Sequence, residues 1–127
     1  MHSIVRATIV FGFLLAANAA AGSHVVGEGQ FTGASNHVTS GKVTVESTGS
    51  GQVVERQSDF SFDGAPDPRV GFGTGGTSDP ESDLGALPAN AGEQAYQVPA
   101  SIDPAQYDEV YIRCRKFNVP LGVAKIK

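Results

Sequence analysis

The chain has 127 residues, 40% of them hydrophobic and 17% charged, with nine Lys+Arg against thirteen Asp+Glu and a formal net charge of −4. An acidic chain without a basic run argues against nucleic acid or an anionic membrane surface as partner. Its one cysteine, Cys114, excludes an intrachain disulfide, so the fold must rest on a hydrophobic core.

The first segment reads as a secretory signal peptide. Arg6 supplies a positive end, and Ala7 to Ala17 run without a charge. Ala17-Asn18-Ala19 and Ala19-Ala20-Ala21 both offer the small residues that signal peptidase accepts. The apolar run falls well short of the roughly 20 residues a membrane-spanning helix needs. Cleavage after Ala19 or Ala21 divides the chain into a leader at 1–21, a short linker at 22–28 and one domain at 29–127. Removing Arg6 leaves eight Lys+Arg against thirteen Asp+Glu, a charge near −5. The product is expected to be secreted or periplasmic, with no membrane span once its signal helix is gone.

Along the domain, Gly, Pro, Ser, Asp and Asn punctuate short β-rich runs. That spacing predicts an all-β fold, a single compact antiparallel β-sandwich or barrel. Gln30-Phe31 opens it. Lys42 to Glu46 alternates with Val43 and Val45 on one face, Thr48-Gly49-Ser50-Gly51 turns, and Gln52 to Glu55 returns as a hairpin. Ser58 to Phe62 places Phe60 and Phe62 together. The two prolines and glycine of Asp63 to Pro68 impose a tight turn before the short strand Arg69 to Phe72. Gly73 to Ala91 reads as a surface loop, and Gln94 to Val98 as a strand with Tyr96 and Val98 inward. Asp103-Pro104 suits the start of a helical turn ending near Tyr107. Asp108 to Lys116 alternates cleanly: Val110, Ile112 and Cys114 share the inward face, and Tyr111, Arg113 and Arg115 the outward one. Gly122 to Ile126 closes the domain. The basic residues near the C-terminus are expected to line solvent faces.

The candidates for chemistry are few. His2 goes with the leader, leaving His24, His37 and Cys114. Type-1 copper wants two histidines, a cysteine and usually an axial methionine, but the only methionine is Met1; no histidine follows Cys114. Structural zinc lacks its several ligands, and covalent haem lacks C-x-x-C-H. Non-covalent haem held by Cys114 or His37 needs only one or two axial ligands and stays open. No metal site is assigned. Asp79, Glu81 and Asp83 are spaced like the start of a calcium loop, but Leu84 stands where the loop's glycine belongs; a solvated acidic loop is the plainer reading. Neither a G-x-S-x-G elbow nor a phosphate loop is present.

Seven pieces in order resemble the DM13 domain family: Gly29-Gln30-Phe31 with Ser35 to Val43, Asp59-Phe60 with Gly64 to Pro68, Leu84-Gly85-Ala86-Leu87, Gly92 to Tyr96, Val98-Pro99, Val110 to Cys114, and Phe117 to Ala124. The resemblance covers about Gly27 to Lys127. It implies an extracellular all-β redox or electron-transfer module, its cysteine a bare thiol or a ligand to a prosthetic group. Carried over, Cys114 is the redox thiol or ligand and His37 the next candidate, and each is a candidate ligand should a haem be bound. The family often has a tryptophan just before the cysteine, where this chain has Arg113. A redox or protein partner is implied, and a stand-alone enzyme is not. The alternative is a non-catalytic extracytoplasmic binding or adhesion module, with Cys114 as a buried core residue.

Overall fold

The structure is a computed structural model and describes residues 22–127. The expected leader therefore lies outside the described residues. Helical structure among them is limited to two 3-10 turns, Pro80–Ser82 and Pro104–Gln106. No described helix is long and apolar enough to cross a membrane.

Eleven strands make the fold: β1 His24–Gly33, β2 Thr39–Ser40, β3 Lys42–Thr48, β4 Gly51–Arg56, β5 Ser61–Phe62, β6 Pro68–Thr74, β7 Thr77–Ser78, β8 Gly85–Ala86, β9 Gln94–Val98, β10 Glu109–Cys114 and β11 Val119–Lys125. Nine form one antiparallel sheet in the order β7-β6-β10-β11-β1-β3-β4-β9, with β8 also on β6; β2 and β5 form a separate ribbon. The expected sandwich or barrel takes the form of a single curled sheet, a half-barrel. β1 begins at His24, so most of the stretch read as linker is strand.

Bulges help the sheet curl, because an extra residue on one strand bends it and increases its twist. One lies between Val25 and Gly27 in β1, and one where Ile112 and Arg113 of β10 face Gly122 and Pro120 of β11. Pro120 is tolerated at the second because the ladder is already interrupted there. Val43, Val45, Val54, Val70, Phe72, Val110, Ile112, Leu121 and Ala124 are all at most 2% exposed and form the core with Phe31, Phe60 and Phe62. Phe31 and Phe60 meet edge to face at 5.5 Å.

The outer face of β6 and β10 departs from expectation. Tyr111 and Arg113, expected to face solvent, are 0% and 3% exposed. Residues 73–91, expected as a surface loop, supply β7, the turn Pro80–Ser82 and β8. This segment lies over the outer face: Ser82 Oγ donates to the Phe72 carbonyl at 3.0 Å and accepts from the Phe72 amide at 2.8 Å. A side chain at Gly73 would strike the Tyr111 ring within 2.5 Å, so glycine makes room for the tyrosine. Both faces of β10 are buried.

Candidate functional site

Four strand termini gather at one end of the half-barrel. β1 finishes at Gly33, β6 starts at Pro68, β10 finishes at Cys114 and β11 starts at Val119. In the ladder Cys114 lies between Pro68 and Val119. It follows Val110 and Ile112 on the inward face and packs against the core cluster. As the last residue of β10 it is only half-buried. Alternation thus places the thiol correctly, and the strand's end leaves it partly open to solvent.

His37 belongs to the loop that leads from β1 back over this end. Ala34 N–H donates to the Leu121 carbonyl at 3.1 Å, and Ser35 Oγ donates to the Pro120 carbonyl at 2.6 Å. The imidazole lies tilted on Phe62, ring centroids 5.8 Å apart, and its Nδ1 is 2.9 Å from Asp63 Oδ1. Asp63 Oδ2 accepts from the Val38 amide at 3.0 Å. The His37 hydrogen bond, then the Val38 amide, holds the Asp63 carboxyl below its ordinary range. The fold therefore brings His37 and Cys114 to the same end, with the His37 Nδ1 bound to Asp63.

The turn after Cys114 carries cationic and apolar side chains. Arg115 Nε pairs with Asp67 Oδ2 at 3.2 Å, and the Lys116 ammonium stands 5.4 Å from the Phe117 ring. Phe117 and Val38 are 72% and 69% exposed. Arg113, in the position before the cysteine, is turned to the opposite face. Its Nη2 donates to Asp83 Oδ2 at 2.7 Å and its Nη1 to Asn118 Oδ1 at 3.2 Å. Asp83 also receives Arg69 Nη2 at 3.0 Å. The acidic stretch expected to be solvated is thus structural: Asp79 caps the turn Pro80–Ser82, and Asp83 holds two arginines. Asp63 and Asp67 were not foreseen as partners, although Asx residues flanking a proline-rich turn are a recognisable signal.

Three cavities of about 200, 340 and 410 Å³ open at the opposite end, around Pro104 and Tyr107. Neither Cys114 nor His37 lines any of them. Cys114 itself has Pro68 and Val119 as its ladder partners.

Residues 30–126 match the family model described as Electron transfer DM13. No curated protein and no solved structure matches the chain.

Proposed function

The chain belongs to the DM13 family, and on that footing we propose that it is an exported electron-transfer module whose redox group is the bare Cys114 thiol. The observation that carries this reading is the position of Cys114: the sole cysteine, half-buried at a strand terminus and followed by exposed Arg115, Lys116 and Phe117. Reactive thiols need partial exposure and nearby positive charge, because the thiolate is the nucleophile. The signal-peptide pattern of residues 1–21 supports export.

A lone thiol exchanges electrons only with another molecule. As thiolate, Cys114 attacks one sulfur of a partner's disulfide; the Cys114–partner S–S bond forms as the partner's own S–S bond breaks, and its second sulfur leaves as thiolate. Attack on the mixed disulfide by a further thiol returns Cys114 to its reduced form. Oxidised glutathione tests this directly. The reduced protein should gain one glutathionyl group by intact mass and release one equivalent of glutathione, while Cys114→Ser gains none. A native chain that forms no adduct contradicts the proposal.

The contact of Cys114 with the core cluster favours a second reading. In it the domain is an extracytoplasmic binding module and the thiol a small hydrophobe. The same experiment separates the two, since a core filler forms no adduct until the domain unfolds.

A further inference from the structure

The large sheet ends differently at its two edges. One edge is made by β7 and β8, strands of two residues each. The other is β9, five residues long, whose one ladder partner among the described strands is β4. Proteins blunt a sheet edge with short strands, charge, proline or a bulge, because its unpaired backbone groups invite another strand. The β7 and β8 edge is blunted by its shortness. β9 carries none of these devices: Gln94-Ala95-Tyr96-Gln97-Val98 has no charge and no proline, and it keeps an unbroken register with β4.

The ladder fixes which backbone groups of β9 are free. Gln57 N–H donates to the Lys42 carbonyl at 2.9 Å, which turns Gln57 and every second residue back along β4 toward β3. The residues between them, Gln52, Val54 and Arg56, turn toward β9, where they stand opposite Val98, Tyr96 and Gln94. Gln97 Nε2 accordingly reaches the Gln52 carbonyl at 3.2 Å. Gln94, Tyr96 and Val98 thus spend their backbone groups on β4, while Ala95 and Gln97 point theirs away from the sheet. No described backbone group pairs with these two. Both are exposed, as are the flanking Glu93 and Pro99.

We propose that β9 is a homodimer interface, on which a second copy of this chain lays its own β9 antiparallel about a twofold axis at Tyr96. Such an axis needs a strand whose free groups are self-complementary. Ala95 and Gln97 flank Tyr96, so across the axis each meets the other, and each such pair exchanges two N–H···O bonds, about four in all. The uncharged strand sets no like charges against each other there. The blunted far edge offers no second place to pair, so association stops at two copies. An interface this small gives a weak dimer, with a dissociation constant of about 10 µM to 1 mM. It does not involve Cys114 and does not depend on the redox reading.

The purified protein, kept in reductant so that a Cys114 disulfide cannot link two copies, is followed by sedimentation equilibrium up to about 1 mM and by amide hydrogen exchange over the same range. The expected result is a reversible monomer–dimer equilibrium without larger species. The Ala95 and Gln97 amides should gain protection as the dimer fills, while those of Gln94, Tyr96 and Val98 are protected throughout. Two double variants at these exposed positions test the register. Ala95→Lys with Gln97→Lys sets lysine opposite lysine, and Ala95→Lys with Gln97→Glu sets lysine opposite glutamate. The first should associate at least about tenfold more weakly than the second, with matching circular dichroism. The double lysine variant also reduces the negative charge of an acidic chain, so repulsion between whole molecules would give the opposite order. A chain that stays monomeric at the highest concentration, growth beyond the dimer, or double variants that associate alike overturns the proposal. So does a dimer that leaves the Ala95 and Gln97 amides unprotected.

Discussion

Arg113 Nη2 donates to Asp83 Oδ2 across 2.7 Å, and this ion pair ties β10 to the segment laid over its outer face. Arg113 is 3% exposed, so its charge depends on that carboxylate for compensation. Asp83→Ala strands the guanidinium and should cost about 3 kcal/mol of unfolding free energy. Arg113→Met removes the buried charge itself and should cost less, because Asp83 keeps Arg69 as a partner. Urea unfolding of the two variants checks the order; an Arg113→Met loss equal to or larger than that of Asp83→Ala contradicts it.

Stability should fall at acid pH for a related reason. Burial opposes ionisation of Asp83, but the Arg69 hydrogen bonds, the Gly85 amide and both arginine charges outweigh it and leave the carboxyl below its ordinary value. The Tyr107 hydroxyl and the Glu81 amide do the same for Asp79. A folded value below the unfolded one, about 3.9, gives stability that is present above that pH and is lost as pH falls through the folded value. Urea midpoints should hold level down to about pH 5 and then decline, less steeply in Asp83→Asn. An unchanged acid slope in that variant speaks against the assignment.

The alkaline limb follows from the tyrosines. Burial first, then the hydrogen bond to Glu109 Oε1 at 3.0 Å, holds the Tyr111 phenol far above its ordinary value. Burial raises Tyr96, and the Asp79 hydrogen bond raises Tyr107. A raised folded value gives stability that is complete below the unfolded value, about 10, and is lost as pH climbs toward the folded one. All three tyrosines of the chain behave this way. Tyrosinate absorbance should therefore be small at about pH 10 and rise together with loss of the β-sheet circular dichroism signal. A full tyrosinate signal from a still-folded chain contradicts the burial of Tyr111.

Local pattern was enough for the strands whose two faces differ. Val43 and Val45, Tyr96 and Val98, and Val110 and Ile112 all point where period-2 alternation sends them, and Asp103-Pro104 opens a 3-10 turn as its residues suggest. The outer face of β10 was not legible. What buries Tyr111 and Arg113 is a segment some 30 residues earlier in the chain, and alternation carries no information about what later covers a face. Gly71 and Gly73, small enough to let that segment lie close, were the only local sign. The site divides the same way. Cys114's inward position was readable, but its partial exposure comes from the end of β10 meeting the Pro68 and Val119 termini, a matter of topology. The His37–Asp63 contact spans 26 residues and arises because the β2–β5 ribbon pairs Thr39 with Phe62.

A redox role for Cys114 requires a thiol that is usable in the folded protein. The most direct test is the rate at which an aromatic disulfide reagent titrates the native chain, compared with the chain in denaturant, with circular dichroism recorded alongside. One equivalent should react while the sheet signal is intact, and none in Cys114→Ser. A thiol that reacts only as the domain unfolds would contradict it and make Cys114 a core residue.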